Sequence, residues 1–452
     1  MGPRTHDCLG QTKKIMRTTA ISLLLWATPS YADLSFNQAL SIALQTAPEL
    51  QASAAQLDAA QQNAIPAGAL PDPKLAVGIN NMPIEGNNRF STSADFMTMR
   101  QIGVMQEFPN RAKRRARQAE ANSEIDLAAI NVQLDTRQIL SLTAQSWIQL
   151  HALEQQLVVL EQLDKENNLL TKTHEASHTG KQSMVMDTLI PEEENALLQE
   201  RRDELLRLHS RARAQLQRWL GDAALQPLSG RAPEWPLSLS DLEHSLAQNP
   251  EFLRYEPMTQ KLDAQVAAAR AAKRPDWGVE VMYGARGYPA EDMLSLKFTV
   301  DLPVFTRSRQ NPRIAASLSE RAAIDSERDV KLRNLKAELI SDYADYQQLA
   351  RAYSRQRDIF LPLADKKIAL IQAAWQGNNG MGLTDVIHAR QARLDAQFKL
   401  IQIGAAQDQI AAQIYFRYGI QKAEIAQLKQ NHTIEKNSNS TNEYTPSREV
   451  AP

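Results

Sequence analysis

The sequence predicts an α+β protein made of two tandem copies of one unit, a pair of β-strands followed by a long helical hairpin. Three observations carry that reading. Apolar residues recur at three- and four-residue spacing over unusually long stretches, as in Leu140, Ala144, Trp147, Leu150, Leu153, Leu157 and Leu160. Elsewhere the period changes to two: Leu75, Val77 and Ile79 alternate with Lys74, Ala76, Gly78 and Asn80. The whole pattern then begins again after about 200 residues, the mark of an internal repeat.

Composition agrees with long helices. Aromatic residues make up only 6% of the 452, there are 17 glycines, and Ala, Leu, Gln, Glu and Arg dominate, which argues against a compact enzyme. A formal net charge of −1 gives no reason to expect a nucleic-acid partner.

Residues 1–32 read as a secretory signal. Lys13, Lys14 and Arg17 form a basic region, Ala20–Ala27 a short apolar core, and Ser30-Tyr31-Ala32 a small-x-small cleavage site, so the mature chain is expected to begin at Asp33. Met16 is an alternative initiator, which would leave residues 1–15 untranslated. The single cysteine, Cys8, precedes the cleavage site; the mature chain is expected to have no disulfide, no thiolate metal site and no lipid-bearing cysteine. No later stretch approaches the ~20 apolar residues of a membrane helix. Passage through a membrane would have to use strands.

The first repeat is expected over 33–222. Helix runs from Asp33 to Ala69 with a break at Pro48, and Pro66, Gly68, Pro71 and Pro73 end it. Strands are expected at about 74–81 and 96–108, separated by a polar loop at Met82–Thr92. A helical hairpin follows over 111–220. Since no proline occurs between Pro109 and Pro191, its first arm can run for about 65 residues, roughly 100 Å. Its tip falls at Thr179–Ser183, and the return arm carries Leu198, Leu205, Ala212, Leu216 and Trp219 on one seam.

Residues 223–236 form a Pro/Gly-rich linker, and the second repeat is expected over 237–420. Pro250-Glu251-Phe252 echoes Pro48-Glu49-Leu50, Pro275-Asp276 echoes Pro71-Asp72, and Asp301-Leu302-Pro303 echoes Glu107-Phe108-Pro109. Strands are expected at about 277–284 and 293–301, and a hairpin over 311–418. The hairpin's tip is Trp375–Arg390, where glycines and asparagines supply a helix stop and Thr384 or Asp385 can cap the next helix. The polar tail, 421–452, is expected to be disordered.

Four strands cannot close a barrel, since even small barrels need about eight. With one apolar face and a polar opposite face (Lys74, Asn80, Glu280, Lys297), they call for strands from other subunits around a wet interior. The hairpins are too long to fold over so small a sheet and would pool into a helical tube.

This layout resembles the TolC-type outer-membrane factor family, the exit ducts of tripartite efflux pumps, over roughly Leu34 to Tyr418. Pro71-Asp72-Pro73 before the first strand is similar, and Gln106-Glu107-Phe108-Pro109-Asn110-Arg111 leading to Lys113 and Arg117 resembles the heavy-metal efflux branch. Met381-Gly382-Leu383-Thr384 resembles the family's adaptor-docking tip, and Asp385-Val386-Ile387-x-Ala389 its Asp-Val-Leu-x-Ala. The tip loop carries extra Gly and Asn, and the family's frequent N-terminal lipid cysteine is missing. The resemblance implies a homotrimer with a twelve-stranded outer-membrane β-barrel, embedded in outer-membrane lipid, and a periplasmic α-helical barrel. It implies a periplasmic adaptor (membrane fusion protein) and an inner-membrane RND-type pump as partners, no cofactor and no catalysis. The exported substrates it implies are heavy-metal cations such as copper and silver or cobalt, zinc and cadmium, with a multidrug or small-molecule duct as the alternative. Asp187, Thr384 and Asp385 become gate residues, and Met184, Met381, Gly382 and Leu383 docking residues.

Three further patterns admit other chemistry. His174-Glu175-Ala176-Ser177-His178 matches H-E-x-x-H, whose histidines share a helix face and can hold zinc with the glutamate as base; Glu192–Glu194 lie downstream as a third ligand. That supports a zinc metallopeptidase, although the motif sits beside a hairpin tip. Met97 and Met99, with Met105, fall on one face of the second strand, where thioethers suit Cu(I) or Ag(I) and equally serve as flexible packing. The cluster Arg111–Arg117 suits an anion or a solvated collar. A periplasmic adaptor is the remaining alternative, although two tandem hairpins exceed its usual one.

Overall fold

The computed structural model describes residues 33–177, 186–288, 290–377, 381–421 and 423–428. A two-residue strand β1 (Leu34–Ser35) leads into α1 (Phe36–Thr46) and α2 (Pro48–Ala67). Ser35 caps α1 through its hydroxyl while Gln38 bonds back to the Ser35 amide, a capping box. Pro48 then sits at the first position of α2, where its missing N–H costs nothing. Strands β2 (Lys74–Asn80) and β3 (Met99–Phe108) precede α3 (Arg111–Ser177) and α4 (Met186–Leu220). The short β4 (Leu228–Ser229) pairs in parallel with β1 and pins the linker to the chain's start.

The second repeat contains α5 (Leu239–Ser245), α6 (Pro250–Leu253), α7 (Tyr255–Ala271), β5 (Trp277–Arg286), β6 (Met293–Val300), α8 (Gln310–Arg355), α9 (Leu361–Gln376) and α10 (Leu383–Ile414). A π-helical turn at Gln356–Phe360 separates α8 from α9. Pro362 explains it: a proline removes one helical hydrogen bond and crowds the preceding turn, and a wider turn relieves both.

The strands form one antiparallel sheet in the order β2-β3-β5-β6. Its register places Leu75, Val77, Ile102, Val104, Val281, Tyr283, Leu296 and Phe298 on a single face. That face is bare, with Leu75 69%, Val77 74% and Leu296 75% exposed. β2 and β6 each have one open edge among the described residues.

One strand differs from its expected span. Phe96 and Met97 lie outside β3, which begins at Met99. The Met97 amide donates to the Asp95 carboxylate at 2.7 Å, the Thr98 amide to the Asp95 carbonyl, and the Thr98 hydroxyl to the Asn81 carbonyl at 3.1 Å. Asp95 thus folds a local turn that competes with the ladder.

The helical core centres on α3. Leu140, Ala144, Trp147, Leu150 and Leu153 are buried among α1, α4 and α10. Phe36 meets Trp147 edge to face at 5.4 Å, and the Trp147 indole N–H donates to the Leu34 carbonyl at 3.3 Å. A buried tryptophan thereby satisfies its one polar atom. Among the described residues no helix is long and apolar enough to cross a membrane.

Candidate channel and hairpin tip

The tip of the second hairpin is built by a local hydrogen bond. The Gly382 amide donates to the Asp385 carboxylate at 2.8 Å, and the Asp385 amide donates to the Gly382 carbonyl at 3.2 Å. Asp385 thus secures the first turn of α10, where a negative charge also meets the positive end of the helix dipole. Met381 is exposed and Thr384 half-buried, whereas Leu383, expected on the docking surface, is buried with Val386, Ile387 and Ala389. An apolar side chain at the first helical position gains more from packing beneath the tip than from solvent. At the first tip, Asp187 lies in the opening turn of α4 with its side chain outside the described residues, and Met184 lies outside them entirely.

Just behind these tips is a buried polar network that the sequence reading did not single out. Glu194 of α4 accepts from the Gln391 amide of α10 and, at 3.5 Å, from Asn167 of α3. Arg390 donates to the Asn167 side-chain oxygen at 3.4 Å. Glu194 and Asn167 are only 4% and 5% exposed. The network ties the first hairpin to the second. Burial raises the Glu194 carboxyl above its ordinary range, and the Gln391 bond and nearby His388 offset part of that. The signal was in the spacing: Glu194 stands four residues before Leu198, and Asn167 four after Leu163, so both occupy apolar seams.

At the opposite end, the sheet meets the helices through a second cluster. Asp276 accepts from the Asn110 amide at 2.7 Å, from the Asn110 side chain at 2.9 Å and from Lys113 at 2.9 Å. Burial works to raise the Asp276 carboxyl, but the Lys113 and Asn110 bonds hold it below its usual range. Phe108 stacks on Trp277 at 4.1 Å beside it. Lys113 is therefore engaged within the fold, and Arg114 donates to the Gly68 carbonyl at 3.4 Å, so these two members of the Arg111–Arg117 cluster, expected as an anion site or a solvated collar, bond to the junction itself.

By sequence, no family model and no curated protein matches the chain. By structure the agreement is extensive. The CmeC outer membrane channel of Campylobacter jejuni superposes with a TM-score of 0.71 at 12% identity, covering 88% of this chain and 89% of CmeC. CusC, described for its folding and transmembrane channel formation, gives 0.70 at 15% identity, covering 86% and 92%. The open-state MtrE outer membrane channel of Neisseria gonorrhoeae gives 0.68 at 14% identity, covering 85% and 88%. The chain has the fold of the TolC-type outer-membrane channels.

On this channel fold the remaining candidates take their places. His174 lies near the end of α3 with its side chain outside the described residues, and His178 lies outside them altogether. Glu194, a possible third ligand by sequence, is committed to Gln391 and Asn167. Among the described residues, no three His, Cys, Asp or Glu side chains converge as a metal site. Met97 does not share a strand face with Met99, because it precedes β3. Met99 and Met105 do share the polar face, with Met282. Each lies over a glycine of the neighbouring strand: Met99 against Gly284, Met105 against Gly278 and Met282 against Gly103. A methionine fills the space that a missing side chain leaves, and this accounts for the cluster as packing.

A further hub locks the base of the second hairpin. Glu251 accepts from Arg417 at 2.8 Å and Lys331 at 2.6 Å, and Arg417 also holds Glu338. Burial works to raise the Glu251 carboxyl, yet the two cations bring it below its ordinary range.

Proposed function

We propose that this protein is the outer-membrane channel of a tripartite efflux system, a passive exit duct with a periplasmic extension and no catalysis of its own. The observation that carries the reading is the four-stranded sheet: among the described residues its apolar face is bare and both edges are open, and it stands on a helix of 67 residues. Such a sheet suits lipid on one side and further strands at both edges. Three copies pooling four strands each make the twelve-stranded barrel, and their hairpins a tube of about 100 Å. Exposed Phe360 at the end of the π-helical turn, with Leu363 and Leu370 of α9, gives the tube an apolar seam for a neighbouring copy.

In this reading the tips carry docking and gating. Met381 and Gly382, with Met184 of the other tip, meet a periplasmic adaptor, and Leu383 supports that surface from beneath. Asp187, Thr384 and Asp385 line the constriction and favour cations. An inner-membrane RND-type pump supplies the energy. The substrates are heavy-metal cations, a reading supported by the resemblance at Gln106–Arg111. Purified protein in planar bilayers should conduct as a trimer. A deletion strain should become sensitive to copper, silver, zinc or cobalt and keep its resistance to dyes. Dye sensitivity alone would make the duct a multidrug one, and absence of conductance would overturn the channel.

A further inference from the structure

The two repeats carry a template for how one copy of this chain meets the next. Aligning Pro71-Asp72 with Pro275-Asp276 maps β2 onto β5, and aligning Glu107-Phe108-Pro109 with Asp301-Leu302-Pro303 maps β3 onto β6. The hairpin registers test this mapping. Leu75 opposite Val104 maps onto Val279 opposite Phe298, and Lys74 opposite Met105 maps onto Gly278 opposite Thr299; both are the pairs observed. The equivalence therefore holds without a slip.

Between the two hairpins, β3 pairs with β5 through Phe108–Trp277, Glu107–Gly278, Val104–Val281 and Ile102–Tyr283. The same mapping sets β6 against β2 of a second copy. Resting on the channel reading above, we infer that these two edges join in the mapped register. Val300 faces Leu75 of the partner subunit, Phe298 faces the partner's Val77 and Leu296 faces the partner's Ile79. Asp301 faces Lys74 of the partner subunit.

Three independent features favour that register. The first is parity. All the apolar residues named fall on the face that already carries Val104 and Val281, so the apolar belt crosses the seam unbroken. A slip of one residue would turn Leu75, Val77 and Ile79 onto the polar face. The second is charge. Asp301 has no ion-pair partner among the described residues, and the Lys74 ammonium, 63% exposed, holds only Glu107 of its own chain at 2.5 Å. Opposite charges directly across a strand pair are favourable. The third is the junction below the strands. Within the chain, Asp276 is clasped by Asn110 and Lys113. The mapping brings Asp72 of the partner subunit to the turn after β6, at a cavity of about 580 Å³ that is continuous with the Asp276–Lys113 junction and is lined by Asp301, Arg309 and Arg313 beside Leu302, Val304 and Phe305. Those three apolar side chains are 71%, 68% and 65% exposed, and the partner's Pro71–Pro73 segment covers them.

Disulfide trapping tests the register. In a Cys8→Ser background, Lys74→Cys/Asp301→Cys should yield covalent trimers on oxidation, seen on non-reducing gels and lost with reductant. Val77→Cys/Phe298→Cys, from the other face of the same register, should do the same and guards against one pair failing to fold. Leu75→Cys/Asp301→Cys places its thiols on opposite faces and should give no covalent species. Trimeric wild-type protein with no cross-link in either matched pair, or with equal cross-linking in the mismatched pair, overturns the register and leaves the channel reading standing. A wild-type chain that is monomeric in detergent overturns both.

Discussion

The long helices of the two repeats, α3 and α8–α9, descend from one pattern but live in different surroundings. α3 is enclosed by α1, α2, α4, α7 and α10, and its seam is almost wholly buried. On α8, Leu335 and Leu339 are buried, but Phe360, Leu363 and Leu370 further along are 54%, 55% and 73% exposed. α3 runs without a proline; the second arm is broken by a π-helical turn before Pro362. Gln356 in that turn donates to the Ala396 carbonyl of α10 at 2.9 Å, so the irregular segment is fastened to its own hairpin. The contrast teaches that equal apolar spacing does not mean equal burial. The central helix finds its neighbours within the chain, whereas the edge helix keeps its stripe exposed.

That contrast can be broken most sharply at Trp147. Trp147→Ala should cost about 3–5 kcal/mol of stability, because it removes a fully buried side chain. Denaturant unfolding of the detergent-solubilised protein measures it, and a cost below that of an ordinary surface change would contradict the central role of α3. Leu370→Asp, on the exposed stripe, should leave secondary structure unchanged and weaken association by about 2–3 kcal/mol. Sedimentation in detergent reads this as dissociation; a variant that stays assembled would show the stripe to be ordinary surface.

The charged hub and the tip network sharpen the comparison further. Glu251→Ala leaves Arg417 and Lys331 without their shared acceptor and should cost about 2 kcal/mol. Its pH dependence has a definite sign. The folded Glu251 carboxyl lies below its unfolded value, so its contribution is present above the unfolded carboxylate range and is lost as pH falls through the folded value. Melting curves in acid should therefore converge for wild type and variant. Glu194 behaves oppositely. Its folded carboxyl is raised by burial, so ionisation penalises the fold, and the penalty grows as pH rises from the unfolded to the folded value. Glu194→Gln should stabilise the protein at about pH 8 and make no difference in acid. An unchanged pH profile would mean that Glu194 is not desolvated. The smallest effect is expected at Asp385: Asp385→Ala should cost about 0.5 kcal/mol through loss of its bond to Gly382. A fall in cation selectivity of the bilayer conductance would add the gating role to the structural one.

Much of this was legible in the residues. Period-two alternation marked β2, β5 and β6, and proline-free apolar seams marked α3. The start of β3 was not legible, since Phe96 and Met97 look like strand residues while Asp95 offers their backbone a turn. Leu383 looked like docking surface, because a motif does not say which way a helix turns its first side chain. Asn167 escaped notice, and Glu194 was read only as a metal ligand, because seams are read through their apolar members. A polar residue at a seam position reveals its meaning only when its partners, here Gln391 and Arg390, arrive from another hairpin.

The sequence by itself determined the repeat, the two periods, the proline breaks and the reach of each hairpin. These are local properties: side-chain spacing sets which face is apolar, and proline and glycine set where a helix must stop. Only the tertiary structure decided that β3 pairs with β5 to make one sheet of both repeats, that α3 is central while α9 stays bare, and that a carboxylate is buried behind the tips. Those outcomes depend on which surfaces meet across more than a hundred residues of chain, and such meetings are settled by the free energy of packing and pairing, to which local pattern contributes only the available faces.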